Sequence, residues 1–129
     1  MFQVSEMMKA FPDFIGSDGR DEQEIVQAEA ELGVFFAKDY REYLKEIGLA
    51  CFDGCEFTGI TDIERLNVVS VTKEQRRVSD PDTKSWYVIE DAGIDGMVFW
   101  QDSNGHIYQT SYGSCCKKIA DSILEYINI

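Results

Sequence analysis

The sequence predicts a single α+β domain in which a mixed, mostly antiparallel sheet is flanked by N-terminal helices and a C-terminal helix. Three observations carry that expectation. Apolar residues recur at helical spacing through the N-terminal part, strand-type runs joined by turn residues fill the stretch from Trp86 to Thr110, and helical spacing returns after Lys118. With 129 residues, 44% hydrophobic and 28% charged, the chain can bury one core and has neither a disordered nor a fibrous composition. No linker or internal repeat divides it, so residues 1–129 are read as one unit.

Val4, Met7, Met8 and Phe11 share one face of a short helix that Pro12 ends, and the turn formers from Pro12 to Gly19 read as a loop. Asp21 and Glu24 have capping-box spacing at the head of a second helix, continued by Ile25, Ala28, Glu29 and Leu32 and closed by Gly33. A third helix runs from about Lys38 to Ile47, with Tyr40, Tyr43, Leu44 and Ile47 as its apolar stripe and Gly48 suited to a left-handed cap. Glu56 to Ile60 alternates weakly between glycines, as a short strand does. Residues 62–77 fit either a helix carrying Val68, Val69 and Thr72 or β structure, and helix is the expectation.

Val78 to Ser85 is a polar loop around Pro81. Trp86–Ile89 and Met97–Gln101 are aromatic and β-branched strands joined by the acidic, glycine-bearing turn Glu90–Gly96. Asp102-Ser103-Asn104-Gly105 is a strong hairpin signal leading into His106–Thr110. Ile119, Ile123, Tyr126 and Ile127 then form the closing helix, with Asp121 and Ser122 on its polar side.

The longest apolar runs are a few residues, too short for a membrane helix, and the first residues lack the basic and apolar regions of a secretion signal, which places the chain in the cytosol. The four cysteines are expected to be free thiols there. The net charge of −12, from 24 acids against 12 bases, disfavours direct nucleic-acid binding and suits a basic protein partner. Residues 51–77 are nearly neutral, with 5 acids and 4 bases, so the excess lies in the two flanks.

No chemical motif stands out. Cys51, Cys55, Cys115, Cys116 and His106 could supply metal ligands, but Cys51-x3-Cys55 lacks a matching second pair and adjacent thiolates rarely meet one tetrahedral ion. A thiol nucleophile at Cys115 or Cys116 with His106 as base would want an orienting third group. Asp91, Asp95, Asp102 and Asn104 crowd one region without the calcium-loop pattern, phosphate-binding loops are absent, and Lys73, Arg76 and Arg77 form one modest basic cluster suited to internal ion pairs. The expectation is a binding protein without metal, cofactor or catalysis.

Ala28-Glu29-Ala30-Glu31-Leu32-Gly33, followed by Tyr40-Arg41-Glu42-Tyr43-Leu44 and Gly48, resembles the opening of the SUKH superfamily. Phe57-Thr58-Gly59-Ile60, the turn Asp91–Gly96, Asp102–Tyr108 and Ser122–Ile127 resemble its later strands and closing helix, so the likeness covers about residues 21–128. Its departure is Phe36-Ala37, where the family usually has Leu-Pro. The resemblance implies a mixed sheet flanked by helices. In bacterial members it implies immunity against a co-encoded polymorphic toxin, frequently a nuclease; eukaryotic relatives look like regulators of cell-wall synthesis. It implies no shared catalytic residues.

On this reading an acidic face meets a basic toxin domain. The expected contacts are Asp53, Glu56, Glu90, Asp91, Asp95 and Asp102 with Trp86 or Trp100 as aromatic anchors, although both tryptophans also suit a core position in their strands. The alternatives are a regulatory scaffold without a toxin and a thiol- or metal-dependent enzyme.

Overall fold

The computed structural model describes residues 3–79, 81–112 and 114–128. Within them lie helices α1 (Gln3–Lys9), α2 (Glu22–Leu32), α3 (Lys38–Glu46), α4 (Val68–Arg77) and α5 (Ile123–Ile127). The strands are β1 (Ile15–Gly16), β2 (Ala50–Phe52), β3 (Cys55–Glu56), β4 (Tyr87–Asp91), β5 (Met97–Gln101), β6 (Ile107–Ser111) and β7 (Ser114–Ala120). They form two antiparallel sheets, β1-β2-β3 and β4-β5-β6-β7. A bridge between Phe57 and Glu90, with the Thr58 N–H donating to the Ile89 carbonyl, ties the small sheet to the outer edge of β4. The fold is α+β, as the sequence predicts.

Local chemistry sets the helix ends. Asp21 and Glu24 form the reciprocal capping box of α2, and Gly33 closes that helix in the left-handed conformation at φ +67°. Asn67 caps α4 by accepting from the Val69 and Ser70 N–H groups, so the helix begins at Val68 and only a 3-10 turn, Glu64–Leu66, precedes it. The segment from 62 is therefore helical only in its later part. The strand expected over Glu56–Ile60 is shorter as well: β3 ends at Glu56, and beyond it Phe57 and Gly59 make isolated bridges to Glu90 and Asn67. The loop before Gly19 contains the two-residue β1, and the polar loop after Val78 contains a 3-10 turn, Pro81–Ser85.

Buried side chains from α1, α2, α3, both sheets and α5 join in one cluster that runs from Val4 to Ile123. Its centre is aromatic. Tyr40 lies between Phe36, Tyr43 and Tyr87 with ring centroids 5.1, 5.4 and 5.1 Å away. The hydroxyls of Tyr40, Tyr43 and Tyr87 are all hydrogen-bonded. Tyr43 donates to the Thr58 carbonyl and accepts from the Ala50 N–H, and Tyr40 bonds to Thr58 Oγ1. Tyr87 accepts from the Ala37 N–H at 2.8 Å and donates to Gln101 Oε1 at 2.6 Å. The Gln101 amide donates in turn to Asp39 and to the Gly105 carbonyl, and Asp39 accepts from the Ile123 N–H. One hydrogen-bonded chain thus connects the start of α3, strands β4 and β5, the hairpin turn and the start of α5.

Helices α2 and α3 are clamped by Arg41, which bonds Glu22 and the buried Glu29, while Glu29 also accepts from the Phe36 N–H. Hydrogen bonds from Arg41, then Lys45, hold the Glu22 carboxyl down to about 2, from an ordinary 4.5.

Two outcomes follow for stability. Tyr87→Phe strands the Ala37 N–H and Gln101 Oε1 in the core and is expected to cost about 1–3 kcal/mol, read as a lower urea midpoint with unchanged slope. Because the folded-state value of Glu22 is depressed, its contribution is complete above pH 4.5 and disappears as pH falls through about 2. The difference in urea midpoint between the natural protein and Glu22→Gln is therefore constant near neutrality and closes across that acid window.

Candidate partner-binding site

The structure separates the acids named from sequence into two kinds. Glu56 is neutralised by a two-pronged bond from Arg65, at 2.6 and 3.1 Å. Glu90 is only 8% exposed and accepts the Tyr126 hydroxyl proton. Asp102 is a turn staple, accepting from the Asn104 and His106 N–H groups and from the Tyr108 hydroxyl. Burial, then the Asp102 carboxylate, pushes the Tyr108 phenol up to about 12, so that proton stays in place at neutral pH. Asp53, Asp91 and Asp95 are exposed.

The tryptophans also divide. Trp100 has 0% exposure and donates its indole N–H to Thr110 Oγ1 at 2.9 Å, which leaves it no surface to offer and makes it a core residue of the face that also buries Val88 and Val98. Trp86 is half-buried and stacks flat on Tyr108, centroids 4.0 Å apart and planes 4° from parallel. Asp102 and Asp95 cannot share a compact contact with one small site, since the length of β5, about 17 Å, separates their turns.

At the end of the large sheet that carries Asp91 and Asp95, the structure adds two residues the sequence reading missed. Ile94 is 63% exposed and Tyr112 is 77% exposed. The Tyr112 N–H donates to the Gly96 carbonyl, and its ring lies so close to Gly96 that a Cβ there would stand 2.6 Å from Cδ1. Tyr112 itself has φ +52°, and Asp95 has φ +54°. Left-handed backbone is unfavourable for a bulky aromatic, and such strain gathers at functional positions. The β4–β5 and β6–β7 turns thus hold one aromatic and one aliphatic side chain in the open, beside two carboxylates. The single hint in the sequence is an aromatic directly after the β6 run.

A second acidic concavity, of about 410 Å³, lies between α2 and the 60–70 segment, where Glu24, Glu31, Asp62 and Glu64 converge from distant parts of the chain. Among the described residues Glu31, Asp62 and Glu64 have no basic partner.

The basic cluster is divided among separate partners: Arg76 donates to the Leu32 and Trp86 carbonyls, and Arg77 pairs with Glu74. Cys51 and Cys55 are free thiols. Burial, then the Glu90 carboxylate, pushes the Cys55 thiol up to about 12, and burial also raises Cys51, so neither is a thiolate at neutral pH. The side chains of Cys115 and Cys116 lie outside the described residues, as does any contact they make with His106, which is 3.4 Å from Asp102 Oδ2. Among the described residues, no group of three or more histidine, cysteine or acidic side chains is placed to hold a metal ion, and no helix is long and apolar enough to cross a membrane.

No curated protein matches the chain. A family model described as SMI1-KNR4 cell-wall (SUKH_5) matches residues 4–128, which adds α1 to the span in which the sequence shows the resemblance. With the match running from α1 to α5, the chain belongs to the SMI1-KNR4 family.

Proposed function

We propose that this protein is an immunity protein, which neutralises a co-encoded toxin by binding it through the Asp91–Ile94–Asp95–Tyr112 end of the large sheet. The observation that carries the reading is an exposed tyrosine and isoleucine fixed by tight turns, at the same end of the sheet as the exposed carboxylates of Asp95 and of Asp91, which accepts the Gly93 N–H. Interface hot spots are built this way, from an aromatic anchor at the centre with a charged rim. Family membership and the net charge of −12 support it, and the partner that fits is a basic domain, such as a nuclease whose own substrate is anionic. Carboxylates steer the encounter; Tyr112 and Ile94 are desolvated at the contact and set the residence time. Occlusion of the toxin requires no turnover by this chain. The second reading, a regulatory scaffold, is favoured by the cell-wall description of the family and needs no toxin gene nearby.

Co-expression with the adjacent gene separates the two: the immunity reading expects rescue from that product's toxicity and co-purification with it, and a neighbour that neither poisons cells nor binds refutes it. Within the complex, Tyr112→Asn is the informative variant, because asparagine tolerates left-handed backbone while removing the ring. It is expected to weaken affinity by about 30-fold or more, roughly 2 kcal/mol, with the urea midpoint unchanged. Asp91→Asn combined with Asp95→Asn is expected to act on the association rate instead. The natural protein's rate should fall steeply from low to physiological salt, and the double variant's much less.

A further inference from the structure

The face of the large sheet that carries the main core is covered unevenly. Near Gln101, Ile107 and Ala120 it is buried. Further along, the register aligns Glu90, Phe99, Gln109 and Lys117 in one row across all four strands, and burial falls along that row from Glu90 through half-buried Phe99 and Gln109 to exposed Lys117. A groove of about 650 Å³ opens above it. Phe99 and Ile119 form part of its floor, and Phe57 and Tyr126 its wall, with the Tyr126 ring 5.3 Å from Phe99 and 6.1 Å from Phe57. The groove is an apolar core left open at one side.

Charge is reversed at its β7 bank. Lys117 and Lys118 both line the groove, in a chain whose net charge is −12. Lys118 is held by Asp121 at 2.5 Å, whereas Lys117 has no ion pair among the described residues. On the opposite side Cys55 is a neutral thiol, and Glu90 beneath is engaged by Tyr126. Asp53 is exposed at the rim. An apolar body with one anionic end matches this arrangement: rings to receive the body, an unpaired ammonium to receive the charge, and a volume within the ordinary range of small-molecule sites, roughly 300–1,000 Å³.

We propose that this groove binds a small amphipathic carboxylate, its aliphatic or aromatic body on Phe99, Ile119 and Tyr126 and its carboxylate at Lys117. The site lies on the core face of the sheet, a few residues along the strands from the turns that carry Tyr112 and with none of Asp91, Ile94, Asp95 or Tyr112 in its lining, and stands whether or not that surface binds a toxin. Titration of the whole chain with octanoate, followed by amide chemical shifts in NMR, is expected to give saturable one-to-one binding with shifts centred on β5–β7 and α5. Octanol is expected to bind at least about tenfold more weakly and octylammonium not to saturate. Lys117→Glu is expected to weaken octanoate about tenfold or more, Lys117→Gln less, and Tyr112→Asn not at all, each with an unchanged urea midpoint. Non-saturating shifts, equal binding of octanol and octanoate, or an affinity indifferent to Lys117→Glu would each overturn the proposal. A change in Lys117→Glu that merely reflects unfolding is exposed by its urea midpoint, and Lys117→Gln then decides the matter.

Discussion

The structure depends on the satisfaction of polar groups inside its aromatic centre. A tyrosine hydroxyl, a glutamine amide and an aspartate in series from Ala37 to Ile123 are worth little individually over their bonds to water, but leaving any of them unpaired in the core costs more than the bond itself provides. That asymmetry makes the arrangement exclusive. The sheet, the hairpin turn and the two helix starts can be assembled in one relative placement if every donor and acceptor is to be matched. Apolar packing alone, with Phe36, Tyr40, Tyr43 and Tyr87 in edge and tilted contacts, would tolerate several.

The same placement decides which charges remain available. Arg41 and Arg65 consume Glu22, Glu29 and Glu56 in holding elements together, and Asp102 is spent on its own turn. Among the acids left exposed without a basic partner are Asp91 and Asp95 at the turn end of the large sheet and Glu31, Asp62 and Glu64 between α2 and the following segment. The groove over Phe99 forms because α5, positioned by Asp39 at its first residue, is short and covers only part of the core face.

Much of this was legible in the sequence where the cause is local. The capping box of α2, the glycine that stops it, the stripe of α3 and the β5–β6 hairpin each follow from neighbouring residues whose own hydrogen bonds or dihedral preferences decide the conformation. The two-residue β1 and three-residue β2 were not legible in that way, and β3 only in part, since strands so short take their geometry from partners elsewhere in the chain. The candidate surface was half legible. The acidic turn around Asp91 and Asp95 was visible, and the strand setting of Trp100 suited the core position it takes against Thr110, but the exposure of Tyr112 was not foreseen. Sidedness of a strand residue is decided by the layer that covers it, and pairing of an acid by whichever arginine the fold brings near; neither is a property of adjacent positions.

Ala37 stands where the SUKH resemblance leads one to expect proline. A proline has no amide proton to give, so a relative with the common residue there has nothing to offer the phenol that sits opposite in this chain. In this chain the two positions, fifty residues apart, share one buried hydrogen bond. With proline at position 37 the Tyr87 hydroxyl would keep its bond to Gln101 and lose only the one it accepts.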